Sequence, residues 1–278
     1  MPFRTVLTVT SPDLEFGDID LAASLCDGIG AHLAALVVQM AAPPPIGEYA
    51  AVVSEAWLAE RQEEERALAA RAQALTTRLA QTDVSAEVTT EYPEFAWADE
   101  TIGRRAMYAD VTLVGPDVLG TETLRGKVVE GALFASGKPL LLVPDAKKAT
   151  FEPKRVVVAW DARIEAARAL REALDLLKGA EDVRVVLVDP RSGESGHGAE
   201  PGADVATYLS RHGVHASVER LPGQGQPVAD VLRRFATDVD AQMLVMGAYG
   251  HSRLRERIFG GVSRSMLDDP PLQVLLAR

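Results

Sequence analysis

A glycine-rich segment near the end of the chain has the residue types and spacing that bind phosphate. It reads MGAYGHSRLRERIFGGVS, from Met246 to Ser263, between an apolar run that predicts a buried strand and an apolar-periodic run that predicts a helix. Glycines let the backbone approach a ligand closely. The free N–H groups and positive dipole end of a helix N-terminus favour an anion. The segment therefore predicts a site for a nucleotide.

The spacing G-x2-G-x9-G, followed by a small residue and V-S, resembles the signature of the universal stress protein family. In that family these glycines bind the ribose and phosphates of ATP. The sequence departs at Gly261, where the family usually has Ser or Thr; the backbone N–H stays, and Ser263 keeps the later hydroxyl. The alternative is a loop that merely turns, although two turns would not need this spacing.

The same resemblance implies a carboxylate after the first strand of the second half, where Asp161 stands. It could accept a hydrogen bond from an adenine amino group or a ribose hydroxyl. The family commonly has D-x-S here, whereas this chain has Asp161-Ala162-Arg163, so the serine is lost. Two alternatives remain open: Asp161 could cap the following helix, and Arg163 could either approach a phosphate or face solvent.

The remaining roles are also carried over from the family. Val188 is expected to pack on the adenine ring, with Met246 beside it and Ala159 offering backbone, although both apolar side chains could be ordinary core. His251 could donate to a phosphate or be solvated. The implied nucleotide-binding residues are Ala159, Asp161, Val188, Met246, Gly247, Gly250, His251, Arg253, Gly260, Gly261, Val262 and Ser263. No catalytic residue and no metal ligand is assigned.

The elements that must position these residues alternate between β-branched apolar runs and Ala-, Leu- and charge-rich runs, which predicts an α/β protein with parallel strands. The predicted strands are 5–10, 32–39, 85–92, 111–114, 140–143, 155–160, 183–188, 215–220, 242–246 and 272–277. The predicted helices are 19–29, 54–80, 98–107, 127–135, 165–177, 203–211, 228–237 and 262–267.

The two halves repeat one another. Residues 110–115, DVTLVG, correspond to QMLVMG 132 residues later, and the opening strand RTVLTV corresponds to RVVVAW at 155–160. A repeat this long indicates duplicated domains, 1–148 and 149–278. With the family resemblance, we expect two tandem doubly wound domains, Rossmann-like and adenine nucleotide α-hydrolase-like, each with a five-stranded, mostly parallel sheet.

The first half has lost most of the glycine signature. It keeps Gly115 at the strand end, but Val118, Val128 and Val129 stand where the second half has Gly250, Gly260 and Gly261. Bulky side chains would block close approach of a ligand to the backbone. We therefore expect domain 1–148 to be degenerate and not to bind nucleotide, and domain 149–278 to carry the ATP site.

Composition limits the class of protein. The formal net charge of −11 argues against a general nucleic-acid or anionic-membrane binder. The single cysteine, Cys26, is expected in the core and allows no disulfide within the chain. No membrane span and no secretory leader is apparent, so we expect a cytoplasmic protein.

The expected ligand is ATP, ADP or AMP, and the expected function is a nucleotide-dependent sensor or regulator of the stress response. Mg²⁺ could bridge the phosphates, although no acidic ligand for it is evident. One alternative is an interaction or chaperone-like module with a vestigial nucleotide site. The other is an enzyme that hydrolyses ATP slowly at most, since no general base stands beside the glycine segment.

Partners are also expected within the chain itself. Universal stress proteins commonly dimerise by antiparallel pairing of their final strands. Each half here ends in a short apolar strand, 140–143 and 272–277, which if unpaired would expose free N–H and C=O groups. We therefore expect an intramolecular pseudo-dimer of the two halves, with a further homodimer of the chain left open.

Overall fold

The computed structural model describes residues 3–43, 55–190, 193, 200–249 and 261–278. The chain divides into two compact units, Phe3–Ser136 and Gly137–Arg278. In both units, runs of Val, Leu and Ile form buried strands, and amphipathic helices connect them. Among the described residues, no helix is both long and apolar enough to cross a membrane.

The unit Phe3–Ser136 contains a four-stranded parallel sheet. Its strands are β1 (Thr5–Thr10), β2 (His32–Val38), β3 (Ala86–Glu91) and β4 (Val111–Val114). They lie in the order β3-β2-β1-β4. Its helices are α1 (Gly17–Ile29), α2 (Glu55–Leu79), α3 (Ala98–Ala106), α4 (Pro116–Leu119) and α5 (Glu122–Glu130), followed by a π-helical segment, Gly131–Ser136.

The unit Gly137–Arg278 contains six strands. They are β5 (Leu140–Leu142), β6 (Arg155–Ala159), β7 (Asp182–Val188), β8 (Ala216–Leu221), β9 (Met243–Gly247) and β10 (Gln273–Ala277). Their order is β5-β10-β9-β6-β7-β8. The helices are α6 (Ile164–Glu172), α7 (Leu174–Gly179), α8 (Ala203–Arg211), α9 (Val228–Asp238) and α10 (Gly261–Asp268).

Every strand pair in the second unit is parallel except β5 with β10, where Leu142 faces Val274 and Leu140 faces Leu276. When the chain is divided at residue 148, each part contains five strands. The predicted α/β class with mostly parallel sheets is confirmed. The predicted domain boundary and the predicted pseudo-dimer stay predictions.

Two helices differ from the sequence predictions. The helix predicted for 127–135 begins earlier, at Glu122, and turns into the π-helical segment, while the unpredicted α4 precedes it because Pro116 suits a first helical turn. The helix predicted for 165–177 is divided at Ala173 into α6 and α7.

The core prediction for Cys26 is confirmed. The side chain is fully buried in α1, and burial raises the pKa of its thiol to about 12. Since the thiolate is the reactive form, this cysteine is a small core residue rather than a nucleophile.

Candidate functional site

A cavity of about 340 Å³ opens at the carboxyl ends of β6 and β9. Strand β6 lies between β9 and β7, so the strand order reverses between β6 and β9. In open α/β sheets this reversal leaves a crevice in which ligands bind. The fold therefore places the cavity where a ligand is expected.

Eight of the twelve residues implied by the family resemblance line this cavity. They are Ala159, Asp161, Val188, Met246, Gly247, Gly261, Val262 and Ser263. The structure thus brings together residues from four elements that span more than one hundred positions of the chain. The other four, Gly250, His251, Arg253 and Gly260, lie outside the described residues.

Five further lining residues were not among the predicted ones: Trp160, Val186, Val228, Leu232 and Tyr249. Periodicity could have found three of them. Val186 is two residues before Val188 on β7 and therefore shares its face, and Val228 and Leu232 are four residues apart on α9 and share a helix face. A fourth, Trp160, stands between two predicted residues. Arg163, for which two interpretations were open, also lines the cavity.

The carboxylate of Asp161 lies at the end of β6, and its side chain is half exposed. Its Oδ1 accepts the backbone N–H of Arg163 at 3.1 Å, and its Oδ2 lies 3.7 Å from the Arg163 Nε. Helix α6 begins at Ile164, and the side chain of its N-cap residue, Arg163, makes no capping hydrogen bond. Asp161 therefore fixes the turn before α6 while the carboxylate still faces the cavity.

The two described glycines of the signature serve different purposes. A Cβ on Gly247 would overlap the backbone N of Ala166 and lie 2.6 Å from the carbonyl carbon of Glu165, so this glycine lets α6 pack against the end of β9. A Cβ on Gly261 would meet no atom of the described residues within 4 Å. Packing explains Gly247, whereas no described neighbour explains Gly261, which lines the cavity.

The backbone next to the cavity is held by Ser263. Its Oγ accepts the N–H of Tyr249 at 3.2 Å, and the residue is 7% exposed. Tyr249 has a φ of 61°, a left-handed conformation that side-chain-bearing residues rarely adopt. Such strain persists only where the surroundings enforce it. The hydroxyl of Ser263 thus positions the end of the β9 loop, in addition to lining the cavity.

The arrangement has the chemistry of a binding site. Apolar side chains from β7, β9 and α9 form one wall, and the N-terminus of α10 forms another. The only acidic side chain among the described lining residues is Asp161. Within the described part of the chain, no group of three or more His, Cys, Asp or Glu side chains could hold a metal ion.

Comparisons with known proteins agree with this architecture. The model of the universal stress protein family matches residues 152–278. A universal stress protein from Archaeoglobus fulgidus DSM 4304 has a similar structure, with a TM-score of 0.66 and 19% identity, covering 100% of this chain and 97% of that one. Among curated proteins, no sequence matches significantly.

Two structures from Pseudomonas aeruginosa are also similar. A functionally unknown protein from strain PAO1 has a TM-score of 0.56 and 16% identity, covering 99% of this chain and 92% of that one. A putative universal stress protein from strain UCBPP-PA14 has a TM-score of 0.53 and 17% identity, with coverages of 99% and 93%. These likenesses show the fold along the whole chain, and the family model shows that residues 152–278 form a domain of the universal stress protein family.

Proposed function

We propose that the second half binds one adenine nucleotide, ATP or its products ADP and AMP, and that the protein acts as a nucleotide-dependent sensor or regulator of the stress response. The observation that carries this proposal is the open cavity at the strand-order reversal, with a glycine at the N-terminus of α10 for which no described neighbour gives a packing reason. Its volume of about 340 Å³ is within the usual range of small-molecule sites.

The apolar wall suits the base of the nucleotide. Val188 comes from β7 and Met246 from β9, the strands on either side of β6, and Leu232 comes from α9. An adenine ring in contact with these side chains would remove apolar surface from water. Asp161 at the end of β6 would accept a hydrogen bond from the adenine amino group or from a ribose hydroxyl.

The N-terminus of α10 suits the phosphates. Gly261 and Val262 are the first residues of this helix, and both line the cavity. The first N–H groups of a helix have no partner within it, and the helix dipole adds a partial positive charge there. A phosphate near Gly261 could therefore reach the backbone N–H groups of the first turn of α10.

Binding without rapid turnover is what these residues support. The one acidic side chain that lines the described cavity, Asp161, is engaged by Arg163. The described residues offer no set of ligands for Mg²⁺, so we derive no chemical step through a metal. We expect hydrolysis far below the roughly 10 s⁻¹ of a median enzyme.

Calorimetry on the full chain tests the proposal. We expect ATP to bind with a stoichiometry of one per chain, because the first half contributes no nucleotide site, and we expect adenosine to bind more weakly. Mass spectrometry of the purified protein would identify any adenine nucleotide retained from the cell. No binding of ATP, ADP or AMP, two sites per chain, or turnover with Mg²⁺ at ordinary enzyme rates would each contradict the proposal.

A further inference from the structure

The two helices that enclose the cavity in the second half must keep a fixed separation. Helix α9 contributes Val228 and Leu232 to one wall, and α10 contributes its first residues, Gly261 to Ser263. A change in their relative position would move the N-terminus of α10 toward or away from a bound phosphate. Whatever joins the two helices therefore influences the proposed site.

Arg233 joins the two helices through hydrogen bonds. It follows Leu232 on α9, and its Nη2 donates to the carbonyl oxygen of Ser265 and, at 2.8 Å, to that of Asp269. Its Nη1 donates to Asp230 Oδ1 at 3.1 Å, on its own helix. The Arg233 side chain is only 21% exposed. One guanidinium thus ties α9 to the last turn of α10.

The contact of Arg233 with the end of α10 is electrostatically favourable. The last carbonyl groups of a helix have no partner within it, and a cation there also complements the negative end of the helix dipole. The planar guanidinium can donate to several oxygens at once in a fixed geometry, which an ammonium group cannot reproduce. Arg233 therefore holds the end of α10 that is opposite to the cavity.

We propose that Arg233 is a positioning residue of the nucleotide site: by clamping the C-terminal end of α10, it fixes where the N-terminus of that helix meets the phosphates. The inference rests on the proposed function. Arg233 should control the contribution of the phosphates to binding. The binding of the base by side chains of β7 and β9 should be independent of Arg233.

The test compares ATP with adenosine in three variants of the full chain. In Arg233→Ala, we expect ATP affinity to fall on the order of tenfold, with adenosine affinity unchanged. In Arg233→Lys, which keeps the charge without the planar fork, we expect a smaller loss in the same direction. Arg234→Ala is the matched control, since Arg234 is the exposed neighbour on α9 and donates to Gln226.

A merely structural role for Arg233 would lower the melting temperature and leave the ratio of ATP to adenosine affinity unchanged, and that result would overturn the inference alone. If Arg233→Ala does not fold, the ratio in Arg233→Lys decides. If the wild-type chain binds neither ligand, the proposed function fails and the inference fails with it. An equal loss of ATP affinity in Arg234→Ala would also overturn it.

Discussion

The two halves of the chain are alike at the ends of β4 and β9, and they differ in the residues that follow. Gly115 ends the first half's strand and Gly247 ends the second's, and each lies against the start of a helix in its own half. A Cβ on Gly115 would overlap the Asp18 carboxylate at the start of α1, as one on Gly247 would overlap backbone at the start of α6. Packing therefore requires both glycines, which explains why Gly115 is present without a nucleotide signature around it.

The first half then satisfies its own backbone donors. The Asp18 carboxylate accepts the N–H groups of Asp117 and Val118, both at 3.0 Å, and the Asp117 carboxylate accepts the N–H of Asp18 at 3.3 Å. Asp18 is 2% exposed. The N–H groups of Asp117 and Val118 follow a strand and could bind an external anion. In this chain they bind the Asp18 carboxylate instead.

The first half also buries the valines that stand where the second half has its later glycines. Val128 and Val129, which correspond to Gly260 and Gly261, are 0% and 5% exposed. Beyond them, a Cβ on Gly131 would lie 2.7 Å from the carbonyl oxygen of Asp99, so the π-helical segment and α3 pack in close contact. At these corresponding positions the first half thus buries valine side chains, whereas Gly261 lines a cavity in the second half.

The largest effect is expected from giving the second half the residue of the first. Gly261→Val introduces the counterpart of Val129 at a position where a Cβ meets no atom within 4 Å in the part of the chain that the structure describes, so we expect the protein to fold normally. The added methyl groups would occupy the cavity. We expect ATP affinity to fall by more than tenfold, which corresponds to about 1.4 kcal/mol, as measured by calorimetry.

Gly126→Val is the matched control for this substitution. Gly126 lies on α5 of the first half, and a Cβ there also meets nothing within 4 Å. ATP affinity should therefore be unchanged. A folded Gly261→Val variant that binds ATP as tightly as the wild type would show that the cavity is not the phosphate site.

The sequence predicted the strands around the cavity because their apolar runs are continuous and short. Strand β6 ends one residue before its predicted end, and β9 is shifted by one residue from its predicted bounds. The glycine spacing and Asp161 indicated which strand ends to examine, and eight predicted residues do line one cavity. Their part in binding stays a prediction.

What the sequence did not indicate are contacts between distant elements. Asp18 and Asp117 are 99 residues apart. An aspartate in the first turn of a helix is common, so its presence does not predict a contact with a distant residue. Arg233 is similar, because an arginine on an amphipathic helix usually faces solvent. Only the packing of α9 against α10 turns it toward carbonyl groups.

The hydrogen bonds that the Asp18 carboxylate accepts in the first half can be tested by measuring stability. Asp18→Ala leaves the N–H groups of Asp117 and Val118 without their acceptor, and we expect the free energy of unfolding to fall by about 1–3 kcal/mol. Asp20→Ala is the control from the same turn of α1. Its ion pair with Arg78 is exposed, so the loss should stay below about 1 kcal/mol. Equal losses in urea denaturation would contradict the role of Asp18.

The same carboxylate should make stability depend on pH. Burial raises the pKa of Asp18, and the nearby Asp117 raises it further, although N–H donors act in the opposite direction. The folded-state pKa then exceeds the unfolded one, so the charged form costs stability at neutral pH and that cost disappears as pH falls through the folded pKa. Relative to Asp18→Asn, the wild type should gain stability between pH 7 and pH 4; a constant difference would argue otherwise.

Two glycines of the first half should respond in opposite directions to the same substitution, because their surroundings differ. A Cβ on Gly103 of α3 would overlap Ala135 and lie 3.0 Å from the carbonyl oxygen of Gly131, whereas a Cβ on Gly126 of α5 has open space. We expect Gly103→Ala to destabilise the chain by about 1–3 kcal/mol through overpacking. Gly126→Ala should stabilise it by about 0.5–1 kcal/mol, because glycine is the poorer helix former. Thermal denaturation gives the sign of each change. If Gly103→Ala leaves the melting temperature unchanged or raises it, the contact of α3 with the π-helical segment is not as close as the structure indicates. ATP affinity should be constant in both variants, because neither glycine lines the cavity in the second half.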